Sequence, residues 1–519
     1  MWGAGAVLAI IDAGIAHEVE SIASVSGGSI TNAVVAHAGE LRAESTAGKV
    51  GPALAGMART IADDGLFWFG PATTRWAMQF LLAAGFAIGS IIGLVASLSV
   101  VARDAPVRWF WIVPAVLALV WVIGRKRLAK DGPESGGMPM ALQAVLLVGL
   151  VTGGALVVPM TLLTTNAHGR PSAVLACVAV LIGTVLIMWF LLAVFARRSK
   201  AVDEAIAATF FARGALAPAL AAVDRDVHHV FCTTDLMSGD QLYLTPRMVS
   251  GYRVGFGTPG QLALSTAVQC SACLPGGFVP RVLDNTANAA FHLDRKYDIG
   301  KPGFPTSVEH LMVNDGGVYD NMADQWHQGF ARRAERAGFP ARAINPELPV
   351  DLLVVANAGG ALSWKDKVPG RLFRDVPGLK RTIDILYDVS TSNRRQRLVE
   401  DFDLAGSGSG IAGVLTHVRT SPVALALRFT YRGTDAQKAE ASAALSMLRE
   451  LQTDDGWVQL ADRNAQVKTT LGRLTRAQVV DLAWHAYLLT RVGLWIAHGI
   501  APATRAELAR ETMVAKLGL

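Results

Sequence analysis

The sequence predicts an α/β domain that is interrupted by a membrane-spanning insertion. Segments typical of strands and of helices alternate on both sides of residues 76–200, and this central part holds four long runs without a charged residue. Of the 519 residues, 51% are hydrophobic, and the net charge is +6. The mean hydropathy of +0.35 is higher than soluble globular chains usually have, so membrane spans are expected.

The four charge-free runs are predicted to form transmembrane helices, because a span needs roughly 20 apolar residues. They are Trp76–Ala102, Trp109–Gly124, Met140–Thr165 and Ser172–Ala196. The second run is slightly short, and Arg108 beside it would lengthen it by snorkelling. Since the runs contain no Asp, Glu, Lys or Arg, a channel or transporter role is disfavoured.

Basic residues next to the runs predict the orientation of the chain. The side shared by the two flanking regions receives Arg75, Arg125, Lys126, Arg127, Lys130, Arg197, Arg198 and Lys200. The opposite side receives Arg103, Arg108 and Arg170. By the positive-inside rule, the chain is a multi-pass protein of the cell membrane with both flanking regions in the cytoplasm.

The two flanking regions are predicted to form one domain, with residues 1–75 as its first part and 201–519 as its second. Residues 1–75 are too few to fold well alone and therefore join the later part. The segments that predict an α/β layered domain are the buried strands Val230–Thr234 and Leu352–Ala356 and the amphipathic helices Gln437–Leu451 and Arg476–Leu489. Residues 76–200 are then an insertion of four helices.

The four cysteines indicate neither a metal site nor a disulfide framework. Cys270 and Cys273 form a C-x-x-C, but no second such pair or nearby His pair completes a zinc site. We interpret them as small buried side chains, with a redox pair as the alternative. No cofactor, metal or nucleic-acid partner is predicted. The first residues lack the basic region and cleavage pattern of a signal peptide.

A serine stands between a short strand and a helix near the start of the chain. A strand over about Ser21–Val25 runs into Ser26-Gly27-Gly28, and a helix is predicted from about Ser29. This order is typical of a nucleophile elbow, in which small residues allow a strained turn that presents the hydroxyl. The usual pattern G-x-S-x-G has Ser24 at its first glycine here and keeps Gly28 at the second. The alternative interpretation is a helix start with an N-cap serine.

A second segment, Val313–Asn321, supplies an acid. Asp315-Gly316-Gly317 follows an apolar strand, and the glycines predict a tight turn with unusual backbone angles. Together, Ser26 and Asp315 resemble the Ser–Asp dyad of the patatin-like phospholipase family, in which a serine elbow is followed by a later D-G-G or D-G-A turn.

Further segments are similar to the same family, and the resemblance covers about residues 1–75 and 201–360. Phe231–Leu236 followed by Gly239 resembles its central strand and turn, and Ala267–Pro280 resembles a segment that ends in Phe-x-Pro. The resemblance implies a three-layer α/β/α sandwich and a lipid acyl hydrolase that needs no histidine. His310, five residues before Asp315, is expected to have a supporting or surface role.

The family also has a glycine-rich loop before the elbow, which completes the oxyanion hole. Gly5–Gly14 resembles the helix that follows this loop, so the chain begins where the loop would end. Either the start codon lies further upstream, or the chain is a truncated form with little activity.

The sequence thus predicts a membrane-embedded phospholipase-like esterase, with lipid degradation as its role and the bilayer and a phospholipid or other lipid ester as its partners. The predicted roles are nucleophile for Ser26, general base for Asp315, elbow for Gly27 and Gly28, and acid turn for Gly316 and Gly317. The alternative is a membrane scaffold that keeps the fold without catalysis.

Overall fold

The computed structural model describes two compact units. One comprises Met1–Gly70 and Val202–Leu519, and the other comprises Pro71–Ala201. The described residues are 1–43, 48–65, 76–89, 170–211, 217–223, 226–285, 291–295, 307–327, 350–360, 375–404, 410–467 and 472–519. The predicted spans Trp109–Gly124 and Met140–Thr165, and Trp76–Ala102 from residue 90 onward, lie outside the described residues.

The chain is a mixed α/β protein, as predicted. Its described helices are α1 Trp2–Asp12, α2 Gly28–Ala38, α3 Val50–Asp63, α4 76–89, α5 Arg170–Ala196, α6 Arg198–Ile206, α7 Leu264–Ser271, α8 Asp375–Leu404, α9 Pro422–Arg432, α10 Asp435–Leu451, α11 Asp454–Ala465, α12 Arg476–His498 and α13 Arg510–Leu517. Its described strands are β1 Ser21–Ser24, β2 His228–Asp235, β3 Asp240–Leu244, β4 Val249–Gly251, β5 Gly255–Thr258, β6 Arg281–Asp284, β7 His292–Arg295, β8 His310–Asp315, β9 Leu352–Asn357 and β10 Ala412–His417.

In the described part of the smaller unit, α4 and α5 are in contact near the start of one helix and the end of the other. The Trp76 indole donates a hydrogen bond of 2.8 Å to the Val194 carbonyl. The Phe80 ring lies 5.7 Å from the rings of both Trp76 and Phe195. Among the described residues, no helix combines enough length with enough apolar character to cross a membrane.

The larger unit is built on an eight-stranded sheet in the order β6-β8-β2-β3-β4-β5-β7, with β1 also paired to β2. All eight residues of β2 are buried, which confirms the buried strand predicted over Val230–Thr234. One edge of β2 has two partners in succession. β1 runs parallel to its first half, and β8 runs antiparallel to its second half.

The second predicted strand, Leu352–Ala356, is confirmed as β9, but it belongs to a separate pair. β9 and β10 form a parallel two-stranded sheet. Only alternate residues of β9 are buried, so the prediction of a fully buried strand is wrong. Leu353 and Val355 are buried on one face, whereas Leu352 and Val354 on the other face are half-buried.

The C-terminal helices hold the first segment of the chain in the larger unit. α1 packs on α12 so closely that a Cβ on Gly5 would lie 2.0 Å from the Ala483 carbonyl oxygen. The Tyr487 hydroxyl donates to Asp12 at 2.6 Å, and Lys516 pairs with the same carboxylate. α1 and α12 therefore join the two ends of this unit.

Helix α12 differs from its prediction. Arg476–Leu489 is predicted to be amphipathic, but the helix extends to His498 and is buried around its circumference from Ala483 to Ile496. α1, β10 and the other C-terminal helices contact it on several sides. A helix with partners all around has no polar face to expose, and its few polar residues pair internally. The amphipathic prediction for Gln437–Leu451 is confirmed, because α10 buries one side only.

Candidate active site

The carboxyl ends of β1 and β8 meet beside the middle of β2. Ser24, the last residue of β1, lies opposite Phe231, and Asp315, the last residue of β8, lies opposite Thr233. Because one strand runs parallel and the other antiparallel to β2, the two ends point toward each other. The chain leaving each end therefore reaches the same place, where the Ser26 side chain lies close enough to the Asp315 carboxyl to lower its pKa.

Ser26 occupies a strained backbone conformation. Its φ is +50°, a region that side-chain-bearing residues rarely adopt and that costs about 1–2 kcal/mol. Its N–H donates to the Ser271 carbonyl at 3.1 Å, and the Gly28 N–H closes the turn on the Val25 carbonyl at 3.0 Å. The predicted order of strand, sharp turn and helix is confirmed, with α2 starting at Gly28.

Ser24, which replaces the first glycine of the elbow pattern, is buried and fully hydrogen-bonded. Its hydroxyl donates to the Val230 carbonyl at 3.1 Å and accepts from the Asn32 amide at 2.8 Å. The Ser29 hydroxyl lies 3.1 Å from Ser24 and 2.8 Å from the hydroxyl of Ser271. These hydrogen bonds connect the elbow to β2 and to α7 and hold the strained turn in place.

The two glycines after Ser26 face open space. A Cβ added to Gly27 or Gly28 would meet nothing within 4 Å, and both residues are exposed. In the described part of the chain, the Gly27 N–H donates to no protein acceptor. It lies at the N-terminus of α2, where the helix dipole favours negative charge. This position suits a donor to an oxyanion that forms on a group attacked by Ser26.

Asp315 is almost completely buried, with 2% of its surface exposed. Its Oδ1 accepts the Gly317 N–H at 2.8 Å, and its own N–H donates to the Cys273 carbonyl at 3.0 Å. Burial raises the pKa of this carboxyl from 3.8 to about 6, against the hydrogen bonds from Gly317 and Ser26, which lower it. A carboxylate with this pKa is a stronger base than an exposed one and is still ionised at neutral pH.

Gly316 is required for close packing. A Cβ there would lie 2.2 Å from the Cys232 carbonyl oxygen of β2 and 2.8 Å from Val25. Neither Gly316 nor Gly317 has a positive φ, so the prediction of unusual backbone angles in this turn is wrong. Gly316–Val318 forms a short 3₁₀ helix that lies against the sheet. Only glycine fits at its first position.

The sequence also singles out Cys270, Cys273 and His310. Cys270 and Cys273 are buried free thiols, and burial raises the pKa of Cys270 above its ordinary value. Among the described residues, no cluster of His, Cys, Asp and Glu is arranged to hold a metal ion. His310 is exposed and pairs with Asp284 at 2.8 Å, which agrees with the surface role expected for it. Gly5 lies within α1, as expected.

Sequence reasoning assigned no chemistry to residues 361–519, but the structure brings α8 to the acid turn. The Tyr387 ring lies against Gly317, 3.0 Å from where its Cβ would be. On the same helix, Arg394 bridges Asp320 at 3.1 Å and Asp324 at 2.7 Å. The sequence around Tyr387 carries no motif that would have indicated this contact.

The arrangement as a whole is a strained serine, a buried carboxylate of raised pKa beside it, and a backbone donor at a helix start. These groups suit nucleophilic attack by a hydroxyl on an acyl carbon. Comparisons of this chain with protein-family models, with curated proteins and with solved structures find no match.

Proposed function

We propose that this protein is a serine acyl hydrolase that cleaves lipid esters with a Ser26–Asp315 dyad. The observation that carries the proposal is that Ser26, in its strained turn, and the buried Asp315 carboxylate converge at the facing ends of β1 and β8. Backbone strain lowers the stability of the fold, so a strained residue is retained where function requires it. A strained serine beside a buried base is typical of a nucleophile.

The proposed reaction has two steps. Asp315 takes the proton from Ser26 while the serine oxygen attacks the ester carbonyl carbon, and the electron pair of the carbonyl moves to its oxygen. The Gly27 N–H donates to that oxyanion. Collapse expels the alcohol, which takes the proton from Asp315 and leaves an acyl-enzyme. Water then attacks the acyl carbon with Asp315 again as base, and Ser26 is released.

The fold that we propose for the larger unit is a patatin-like three-layer α/β/α sandwich. Support comes from the mixed sheet with helices, from the elbow between β1 and α2, and from the acid turn at the end of β8. In this proposal the order of serine and aspartate along the chain is that of the family.

An apolar acyl group is the proposed substrate because hydrophobic side chains lie exposed next to the dyad. Leu274, which follows the Cys273 carbonyl bonded to Asp315, is 48% exposed, and Val318 in the acid turn is 40% exposed. Exposed large apolar residues at a polar site favour contact with hydrocarbon. Both residues would line the path of a fatty acyl chain.

A membrane location also remains our proposal, with a four-helix insertion that holds a cytoplasmic site next to its lipid substrate. Its support is the exposed surface of α5, which carries large hydrophobic side chains such as Trp189 at 69% and Leu192 at 62%. α4 likewise exposes Met78 at 59%. Such surfaces favour an apolar environment over water.

The test is fatty acid release from phosphatidylcholine vesicles by the purified full chain. The wild type should release fatty acid, and Ser26→Ala and Asp315→Asn should each abolish the release. Ser442→Ala, which changes an exposed helix serine, is the matched control and should keep wild-type activity. Full activity in either dyad variant would remove the dyad assignment, and an inactive wild type would favour the scaffold alternative.

A further inference from the structure

The Tyr387 hydroxyl is buried next to the proposed dyad and has no hydrogen-bond partner in the part of the chain that the structure describes. Buried hydroxyls in native proteins are nearly always paired, because an unpaired one loses its hydrogen bonds to water without replacement. A group left in this state at a candidate active site suggests that its partner is the substrate.

Two distances limit how far Tyr387 can lie from the acid. The position of a Cβ on Gly317 would lie 3.0 Å from Cε1 of Tyr387 and 3.1 Å from Oδ1 of Asp315. The sum of these distances, about 6 Å, is the largest separation that the ring carbon and the carboxylate oxygen can have. Cε1 is next to the carbon that carries the hydroxyl, so the phenol and the carboxylate belong to one site.

Helix α8 is anchored so that Tyr387 stays in place. One turn further on, the Thr391 hydroxyl donates to the Tyr387 carbonyl at 2.7 Å and accepts from the Asn321 amide at 3.3 Å. Arg394 then pairs with two buried carboxylates of the segment after the acid turn, Asp320 and Asp324. Positions 387, 391 and 394 have the spacing of one helix face. This face therefore contacts the acid turn and the segment that follows it.

The Tyr387 hydroxyl stays protonated. Burial, followed by the negative Asp315 and then by Cys273, raises its pKa above the ordinary value of a tyrosine. At neutral pH it is therefore a neutral hydrogen-bond donor beside an ionised Asp315.

We propose that Tyr387 donates a hydrogen bond to the leaving-group oxygen of the bound ester, an inference that rests on the proposed function. To recover the proton from Asp315, this oxygen must come within hydrogen-bond distance of the carboxylate, and Tyr387 adjoins the carboxylate. As the carbon–oxygen bond breaks, negative charge develops on the leaving oxygen. The Tyr387 O–H stabilises that charge and keeps its own proton, while Asp315 delivers the proton that it took from Ser26.

The test compares two esters of one fatty acid, a methyl ester and a p-nitrophenyl ester. Methoxide is a poor leaving group that needs a donor, whereas p-nitrophenoxide leaves without help. We expect Tyr387→Phe to lower kcat/KM for the methyl ester by roughly 10–100-fold and for the p-nitrophenyl ester by less than about threefold. The Tm should be unchanged or higher, because the variant removes an unpaired buried hydroxyl.

Tyr431→Phe, at a tyrosine that is 81% exposed, is the matched control and should behave as the wild type. The inference would be overturned by equal losses for both esters or by no loss for the methyl ester. A shift of the acid limb of the pH profile would also overturn it, because it would mean that Tyr387 acts on Asp315. A wild type without Ser26-dependent hydrolysis of either ester would overturn the proposed function and this inference with it.

Discussion

At the residue scale, the Asp315 carboxyl is held in an environment that favours its protonated form. Burial is the main cause, and it raises the pKa from 3.8 to about 6. The base needs its ionised form, so we expect kcat/KM to rise with pH through a midpoint near 6. A profile measured between pH 4 and 9 checks this, and a midpoint near 4 would mean that an exposed carboxylate serves as the base.

The same shift makes a prediction about stability. A raised carboxyl pKa contributes stability that is complete below pH 3.8 and is lost as the pH rises through about 6. The difference amounts to about 3 kcal/mol at most, at 1.36 kcal/mol per pH unit. Asn cannot ionise, so we expect Asp315→Asn to unfold at higher denaturant than the wild type at pH 8.

The gain of Asp315→Asn should shrink toward zero at pH 4, where the wild-type carboxyl is protonated. Asp462→Asn, at an exposed helix position, is the control and should leave the denaturation midpoint unchanged at both pH 8 and pH 4. A variant that is less stable than the wild type at pH 8 would show that the ionised carboxylate is well stabilised by its neighbours.

Ser26 itself tests the cost of the elbow. With its φ at +50°, any side chain is strained, and glycine is not. We expect Ser26→Gly to be more stable than Ser26→Ala by about 1 kcal/mol, measured by chemical denaturation, and both to be inactive. The pair Glu40→Gly and Glu40→Ala, at another positive φ of +62°, is the control and should show the same difference with full activity. Equal stability of the two Ser26 variants would contradict strain at this residue.

At the element scale, the site depends on how tightly the acid turn lies on β2. Gly316→Ala would bring a Cβ to 2.2 Å from the Cys232 carbonyl oxygen, so β8 must move away. We expect a loss of several kcal/mol in the free energy of unfolding and a loss of activity, since the Ser26–Asp315 contact depends on this pairing. Gly56→Ala in α3, where a Cβ meets nothing within 4 Å, should be neutral or stabilising. A folded, active Gly316→Ala would contradict this account of the turn.

The elements of the site that follow local rules could be predicted from the sequence. The strand, the Ser26 turn and α2 follow from apolar spacing and small residues, and the β8 strand follows from Leu311–Val313. The need for Gly316 could not be derived correctly, because it comes from β2, about 80 residues earlier in the chain. Tyr387 was missed for the same reason, because the sequence around it does not indicate what the helix α8 packs against.

At the scale of the whole molecule, α12 illustrates why sequence patterns mislead in a large core. Its polar residues Arg491 and His485 are buried, and both have partners: Arg491 pairs with Glu507 at 2.7 Å, and His485 contacts the Thr420 carbonyl at 2.8 Å. Both polar residues are satisfied inside the unit that joins the two ends of the described chain. They can be buried because other segments of the chain supply their hydrogen-bond partners, which the local sequence pattern does not indicate.

The membrane prediction also belongs to this scale. If the charge-free runs span a bilayer, the protein expressed with its full chain should stay in the membrane fraction after an alkaline carbonate wash and should need detergent for release. A control chain with Lys substituted for both Leu186 and Phe190, two exposed side chains of α5, should be retained less well. Quantitative release of the wild type by carbonate would contradict an embedded protein.

The most direct test of the central claim is the site at which a fluorophosphonate reacts with the full chain at pH 8, located by mass spectrometry of its peptides. If Ser26 is a nucleophile activated by Asp315, the adduct should form on Ser26, and Asp315→Asn should slow its formation at least about 100-fold. An adduct on another serine, no adduct, or an unchanged rate in Asp315→Asn would contradict the Ser26–Asp315 dyad.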